Sequence, residues 1–227
     1  MKIFVEGNIG AGKTEFLARS RDFETFRGFG KVLWLTEPVE VWKDLHGSNI
    51  LELFYQDQKR LAFQMQSLVQ LTLLKQNVKQ EREKAEISIQ ERSIFSSYYV
   101  FKRELEEQGL LTDTEAKILN EWFRYMTGGE LGEFGADLII YLRTDPKVAL
   151  DRVRTRDRKE ERNITLEKME NLHKYYEDWL IGQVNKKNPN KLWIVDANKP
   201  QREMEVEFRQ MWKLIERKLK DMESGGV

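Results

Sequence analysis

The chain has 227 residues, enough for one large domain or two small ones with a substantial core. Lysine plus arginine and aspartate plus glutamate both number 38, so the zero net charge gives no argument for nucleic acid or an anionic membrane as partner. The lack of cysteine excludes disulfides and thiolate metal sites, and no apolar stretch approaches the ~18 residues of a membrane span. We expect a cytoplasmic protein without a targeting segment, with a removed mitochondrial presequence as the open alternative.

The most informative stretch is GNIGAGKT, which matches the pattern G-x-x-x-x-G-K-[ST]. A short apolar run before it can form a buried strand, and the residues after it can begin a helix. Backbone N–H groups of such a loop and the Lys13 ammonium attract phosphate oxygens, while the Thr14 hydroxyl can serve Mg²⁺. A glycine-rich turn that happens to contain a lysine is the alternative. We predict a nucleotide phosphate site formed by Gly7, Asn8, Ile9, Gly10, Ala11, Gly12, Lys13 and Thr14.

Five short apolar or β-branched segments predict strands at residues 3–6, 32–36, 86–90, 138–142 and 192–195. Stretches with helical spacing separate them. One has an apolar stripe at Leu61, Met65, Leu68, Leu71 and Leu74, and another begins with the cap Thr144-Asp145-Pro146. An amphipathic helix is predicted for residues 201–222, before a flexible end at 223–227. The alternation predicts an α/β fold with a five-stranded parallel sheet flanked by helices, in a single domain of residues 1–222.

Charged residues follow the predicted strands at the edge where parallel sheets bind ligands. Glu37 follows the second strand, and Glu91 and Arg92 follow the third. A basic run at residues 152–158 follows the fourth strand and its helix, and Asp196 follows the fifth. Because these strand ends meet at the edge that carries the phosphate loop, we expect the charged groups to form one site.

The residue types at this edge suit a kinase that acts on an alcohol. Such an enzyme needs a base for the hydroxyl proton and cations for the phosphoryl charge. Glu37 is the candidate base, Arg92 could position Glu37 and the acceptor oxygen, and Glu91 could complete the Mg²⁺ shell through water. An ordinary loop carboxylate for Glu37 and a structural ion pair between strand ends are the alternatives.

Two further groups of residues extend this site. Arg152, Arg156 and Arg158 are predicted to belong to a lid, about residues 152–164, although mixed charge is more typical of a solvated helix face. The apolar residues on the long helix are more often plain core, but they could line a slot where Gln66 reads a base and Phe101 or Trp42 stacks on it. The other predicted members of the slot are Phe54, Tyr55, Met65, Val69 and Leu73.

Several ordered motifs, spread from about residue 3 to residue 181, are similar to those of deoxynucleoside kinases. They read EGNIGAGKT, LTEPVEVW, QMQ, ERSIFSSYYVF, DLIIYLRT and RTRDRKEE. The resemblance implies a P-loop kinase fold with a lid, and a homodimer joined through long helices. It also implies transfer of the γ-phosphoryl group of ATP, with Mg²⁺, to the 5′-hydroxyl of a small-molecule deoxynucleoside.

The same resemblance assigns roles to single residues. Glu37 would be the general base on the 5′-hydroxyl, Tyr55 and Glu161 would bind the 3′-hydroxyl, and Asp196 would begin the loop near the donor adenine. The catalytic set would be Lys13, Glu37, Arg92, Arg156 and Arg158. The donor set would be the phosphate loop with Arg152, Arg156 and Asp196, and Thr14 and Glu91 would serve the metal. The nucleoside set would be Glu37, Trp42, Phe54, Tyr55, Met65, Gln66, Val69, Leu73, Arg92, Ser97, Phe101 and Glu161.

Some positions depart from the pattern of the family. Glu15 replaces the usual Ser or Thr behind the loop, and Leu61, Met65 and Tyr98 replace a tryptophan, a phenylalanine and an arginine. Leu73 and Ser97 stand where deoxycytidine kinases carry Arg and Asp, which resembles thymidine-accepting members and favours thymidine and deoxycytidine. Met65, whose side chain is flexible, and Ser97 leave the base preference open.

Two other functions fit the same fold. A nucleoside monophosphate kinase would need cations for an acceptor phosphate, and Glu37 would repel that group. A non-catalytic structural subunit would have no need for the complete set of Lys13, Glu37, Arg92 and lid arginines. The sequence therefore favours the deoxynucleoside kinase.

Overall fold

The computed structural model describes residues 1–21, 31–128, 135–199 and 201–224. In this part of the chain, the strands are β1 (Lys2–Glu6), β2 (Val32–Leu35), β3 (Ile87–Glu91), β4 (Leu138–Arg143) and β5 (Leu192–Asp196). These five parallel strands form a sheet in the order β2-β3-β1-β4-β5. They confirm the predicted parallel sheet and differ from the predicted segments by one residue at several ends.

Helices connect the strands and cover both faces of the sheet. They are α1 (Lys13–Ser20), α2 (Val39–Lys43), α3 (Ile50–Gln56), α4 (Gln58–Glu83), α5 (Ile94–Ser96), α6 (Arg103–Glu107), α7 (Asp113–Thr127), α8 (Pro146–Arg156), α9 (Leu166–Tyr176) and α10 (Gln201–Ser224). Ser97–Lys102 and Glu177–Asn185 are π-helical, and Lys159–Glu161 and Pro189–Lys191 form 3₁₀ turns. The closing helix thus extends past residue 222, and residues 225–227 of the predicted flexible end lie outside the described residues.

Alternate residues of the central strands pack into two cores. Ile3 and Val5 of β1 join the core beneath α1 and α10, where Trp212 is fully buried. Phe4 points to the opposite face and packs with Tyr176 and other aromatic residues beneath α9. Because both faces are covered, β1 and β4 contain the apolar runs 3–5 and 138–142, which explains why their positions could be predicted.

The predicted apolar stripe of α4 is only partly right. Met65 and Leu68 are buried, but Leu71 is 48% exposed, and the buried side of the helix also carries amides such as Asn77 and Gln80. The reason is the surface that α4 covers. The Gln80 side chain donates a hydrogen bond to the Ser88 hydroxyl on β3, so polar residues of the helix meet polar residues of the sheet.

The helix that follows β4 begins as predicted. The Asp145 carboxylate accepts hydrogen bonds from the backbone N–H groups of Lys147 and Val148, at 2.9 and 3.4 Å, and Pro146 occupies the first helical position. This cap fixes where α8 begins, and the arginines Arg152 and Arg156 of this helix line the same cavity as the phosphate loop. Among the described residues, no helix combines the length and the apolar character needed to cross a bilayer.

Candidate active site

The phosphate loop joins β1 to α1 and has a backbone that only glycine adopts easily. Gly7, Gly10 and Gly12 have φ angles of 151°, 76° and 90°. A Cβ on Gly7 would lie 2.8 Å from the carbonyl oxygen of Leu142, and one on Gly10 would overlap the carbonyl oxygen of Ala149. The loop is therefore packed tightly against β4 and α8, and its glycines are fixed by both backbone conformation and space.

Lys13 is buried behind this loop, and its ammonium group contacts the loop backbone. Its Nζ donates hydrogen bonds to the carbonyl oxygens of Gly7, at 3.1 Å, and Asn8, at 2.8 Å. Burial, followed by the nearby Arg92 charge, lowers the pKa of Lys13 to about 8. An anionic phosphate at the loop would favour the charged form of this amine and replace those two carbonyl contacts.

Glu91 links the loop to the second strand end. The Thr14 hydroxyl donates to Glu91 Oε1 at 2.8 Å, and the backbone N–H of Glu37 donates to Glu91 Oε2 at 3.3 Å. The Thr14 hydroxyl and the Glu91 carboxylate thus lie together, and their role as a metal site stays a prediction. Mg²⁺ prefers oxygen ligands of this kind and keeps several waters, so the donor set fits that ion.

Arg92 is the residue that brings the two sides of the site together. It has a φ angle of 61°, an uncommon backbone conformation for a residue with a side chain. Its Nε lies 2.6 Å from Glu37 Oε1, and its Nη1 donates to the carbonyl oxygen of Gly7 at 3.2 Å. Burial opposes the charge of Arg92, but Glu37, Tyr176, Glu6 and Glu91 together outweigh it and raise the pKa of the guanidinium. The two residues therefore form a charged pair next to the phosphate loop.

A pocket of mixed polarity lies beyond this pair, between α4 and the π-helical segment Ser97–Lys102. The buried Gln66 amide donates to the backbone and side-chain oxygens of Ser97 at 2.6 and 2.7 Å. The Phe101 ring packs on the Arg92 guanidinium, with 4.5 Å from Cζ to the ring centroid. The Trp42 indole donates to Thr72 Oγ1 at 3.0 Å, which fixes the ring in the wall. The Gln66 amide and these two aromatic side chains all line the cavity, and groups of this kind suit a base-binding pocket.

The predicted lid begins inside α8 and ends where α9 starts. Arg152 and Arg156 belong to the helix, which stops at Asp157 with a φ angle of 48°. Two of the lid arginines converge on Glu161, which forms an ion pair with Arg156 and has a distance of 3.3 Å to Arg158 Nη1. In this state a carboxylate occupies the position between the two cations.

Tyr55 lies beside the same carboxylate. Burial, with the charges of Glu161 and Glu104 as the next causes, raises the pKa of the Tyr55 phenol far above its usual range. The phenol therefore keeps its proton and can donate a hydrogen bond. Tyr55 and Glu161 both line the cavity, and their joint role in binding a 3′-hydroxyl stays a prediction.

One cavity of about 1130 Å³ connects all these groups. It exceeds the ~300–1,000 Å³ typical of one drug-sized ligand, so it has room for a nucleoside and a nucleotide. Every residue predicted for the nucleoside set lines it, as do the lid arginines, Glu91, and the loop from Ile9 to Thr14. The first two loop residues, Gly7 and Asn8, are not part of the cavity wall, and their carbonyl oxygens accept hydrogen bonds from Lys13.

At the donor end, the structure places Asp196 beside the cavity rather than in its wall. Its carboxylate accepts hydrogen bonds from the backbone and side chain of Asn198, at 3.1 and 2.8 Å. Asn198 and Lys199 line the cavity here, and Arg152 Nη2 donates to the Lys199 carbonyl oxygen at 3.4 Å. Glu15 also lines this end and forms an ion pair with Arg19 one turn along α1.

Comparison with protein families identifies the chain. The model of the deoxynucleoside kinase family matches residues 3–219. The chain belongs to the deoxynucleoside kinase family.

Individual family members share about a third of their residues with the chain. Human mitochondrial thymidine kinase 2 is 37% identical over 182 residues, which are 79% of this chain and 64% of that protein. A probable deoxycytidine kinase of fowlpox virus is 34% identical over 197 residues, covering 87% and 78% of the two chains. Mitochondrial deoxyguanosine kinase of Xenopus laevis is 30% identical over 199 residues, covering 79% and 72%. The match spans less than two thirds of the length of the human relative.

Three residues of this chain that lie in or beside the site were not predicted from the sequence. Glu104 and Lys168 line the cavity and form a buried ion pair, with 2.8 Å from Nζ to Oε1. Tyr176 lies behind Arg92 and is fully buried. No sequence signal marks them, because their partners lie 64 and 84 residues away along the chain.

Proposed function

We propose that this protein transfers the γ-phosphoryl group of ATP to the 5′-hydroxyl of deoxynucleosides, with thymidine and deoxycytidine favoured. The products would be deoxynucleoside monophosphates for nucleotide salvage. The observation that carries this proposal is the Glu37–Arg92 ion pair, which lies in one cavity with the phosphate loop and the Gln66 pocket. Membership of the family and relatives named as thymidine, deoxycytidine and deoxyguanosine kinases support it.

The proposed reaction uses residues of this chain for positioning and proton transfer. Glu37 accepts the proton of the 5′-hydroxyl as its oxygen attacks the γ-phosphorus, and the bond to the β–γ bridging oxygen breaks to release ADP. Arg92 holds Glu37 and the acceptor oxygen together. Lys13 and the lid residues Arg156 and Arg158 stabilise the charge on the transferred group.

Thr14 and Glu91 would hold Mg²⁺ when it is bound with ATP. The ion would supply positive charge that neutralises phosphate oxygens. The other proposed contact with the donor comes from Arg152, where burial lowers the pKa of the guanidinium, although an arginine stays charged even so. Its position next to Asn198 and Lys199 suits the nucleoside part of ATP better than the reacting phosphates.

Base selection would depend on Gln66 and its neighbours. Both N–H groups of the amide bond to Ser97, so its carbonyl oxygen is the group left to accept a hydrogen bond, from N–H donors such as N3–H of thymine or the amino group of cytosine. Leu73 is fully buried and lines the cavity without a charge, which leaves space for a 5-methyl group. The pocket therefore suits pyrimidines.

For the assembly, we propose a homodimer joined through α4 and α7. These two helices pack against each other, and Ile118, Trp122 and Tyr125 form an exposed apolar stripe on α7. Exposed patches of this kind are typical of interfaces. We further propose that the protein works in the cytoplasm, where the reducing environment suits a chain without cysteine.

Product analysis tests the proposed reaction directly. Thymidine and ATP with Mg²⁺ should give thymidine 5′-monophosphate and ADP in equal amounts, and the Lys13→Met variant should lose this activity. A phosphorylated 3′-hydroxyl, or ADP formed without a nucleoside product, would contradict the assignment. A folded wild-type protein without any turnover would instead support the non-catalytic alternative.

A further inference from the structure

Tyr176 forms a hydrogen bond to Arg92 from outside the substrate cavity. Its hydroxyl oxygen accepts from Arg92 Nη1 at 2.5 Å, and the side chain is fully buried. Among the described residues that line the cavity, Tyr176 is not included, whereas Arg92 is. The contact is therefore made on the side of the arginine away from the nucleoside.

The other contacts of the Arg92 guanidinium depend on groups that face ligands. Glu37 and Phe101 both line the cavity and would meet the nucleoside. The Gly7 carbonyl oxygen is shared with Lys13, whose contacts would change if a phosphate bound at the loop. Tyr176 supplies the contact that no ligand disturbs.

Tyr176 is itself held rigidly. Its ring stacks on Tyr141 of β4, with centroids 5.9 Å apart and planes inclined by 20°. It is the last residue of α9, at the junction with the π-helical segment Glu177–Asn185. Interruptions of this kind often mark functional sites.

The helix α9 also contacts the phosphate loop. The Asn8 side chain donates to the Met169 carbonyl oxygen at 2.8 Å. Because α9 begins directly after the lid, it links the lid, the loop and Arg92 through buried contacts. A hydroxyl at position 176 is thus in place to orient the arginine relative to the donor.

We propose that Tyr176 is a positioning residue, which fixes Arg92 so that its guanidinium aligns Glu37 and the 5′-hydroxyl with the γ-phosphorus. This inference rests on the proposed kinase function. A hydrogen bond to a charged group that is lost in the transition state costs about tenfold in rate. The effect should fall on kcat, because Tyr176 does not touch the nucleoside.

The test compares Tyr176→Phe with Tyr175→Phe in steady-state kinetics with thymidine and ATP. Tyr175 is a matched control, since it is also buried and its hydroxyl donates to Glu107 Oε2 at 2.6 Å. We expect Tyr176→Phe to lower kcat about tenfold with less than a threefold change in KM, and Tyr175→Phe to keep kcat within twofold. Equal effects of the two changes, or an unchanged kcat in Tyr176→Phe, would overturn the inference.

A double-mutant cycle with Arg92→Lys separates positioning from general packing. If Tyr176 acts through the guanidinium, Tyr176→Phe should change kcat by less than twofold in the Arg92→Lys background. A full tenfold loss in that background would overturn the proposal. An inactive wild type would refute the kinase function itself, while an active wild type with a silent Tyr176→Phe would refute only this role.

Discussion

At the scale of single residues, the position of Glu37 shows how a loop carboxylate becomes a candidate base. Its backbone N–H is held by Glu91 and its carboxylate by Arg92, so both ends of the residue are fixed. Both partners come from the end of β3, the strand next to β2 in the sheet. The sequence places these residues 54 and 55 positions away from Glu37, and only the parallel pairing brings them together.

Replacement of Glu37 tests the proposed general base. Glu37→Gln keeps the size of the side chain but cannot accept the hydroxyl proton, so kcat should fall by about 10²–10⁴ with a modest change in KM. The matched control is Glu40→Gln, one helical turn further on, where the Glu40 carboxylate lies 3.5 Å from Lys43 Nζ and is largely exposed. An unchanged kcat in Glu37→Gln would end the assignment.

Glu6 gives a prediction about stability and pH. It is fully buried, and Oε1 accepts a hydrogen bond from the Ser93 hydroxyl at 2.6 Å. Burial raises the pKa of Glu6 from 4.5 to about 7, because the hydrogen bond to Ser93 and the Arg92 charge offset only part of the desolvation. The folded state therefore binds a proton that the unfolded state has lost in this range, and stability falls as pH rises from about 4.5 to about 7.

The Glu6→Gln variant should lack this part of the pH dependence. The free energy of unfolding of Glu6→Gln minus that of the wild type should increase by on the order of 2–3 kcal/mol from pH 5 to pH 8. Denaturant unfolding at both pH values measures the difference. Parallel pH curves for the two proteins would show that Glu6 keeps an ordinary pKa in the fold.

At the scale of elements, α4 and the π-helical segment Ser97–Lys102 set the shape of the nucleoside pocket. Leu73 comes from the first and Ser97 from the second, and both are buried in the cavity wall. Introducing Leu73→Arg together with Ser97→Asp would fill the space for a 5-methyl group and add a charged pair. We expect kcat/KM for thymidine to fall about 10–100-fold while deoxycytidine is retained.

The single substitutions serve as controls for this pair. Leu73→Arg alone would bury a cation without its partner and should lower the melting temperature more than the double change does. Thymidine turnover that survives the double substitution would contradict the steric explanation of base preference.

The elements also show what the sequence could and could not predict. Strands such as Leu138–Arg143 could be predicted to within a residue, since burial on both faces makes residues 138–142 continuously apolar. The buried face of α4 could not, because it packs the Gln80 amide on Ser88 and leaves Leu71 exposed. Tyr176 looked like any aromatic residue of an amphipathic helix, because its role depends on a tertiary contact with Arg92.

At the scale of the whole molecule, the exposed stripe on α7 predicts an assembly. Trp122 is 52% exposed in the single chain, which is unusual for a tryptophan that no other subunit covers. Trp122→Glu would place a charge in the proposed contact and should convert a homodimer into a monomer with the fold retained. Light scattering coupled to size exclusion measures the mass, and a wild type of about 27 kDa would contradict the dimer.

The most direct measurement is the steady-state kcat/KM with ATP for the four natural deoxynucleosides. The joint placement of Glu37, Arg92, Lys13 and Gln66 in one cavity predicts turnover, with thymidine and deoxycytidine ahead of both purine nucleosides. A preference for deoxyguanosine would contradict the proposed base pocket. The absence of turnover with all four, from a folded protein that binds ATP, would contradict the kinase itself.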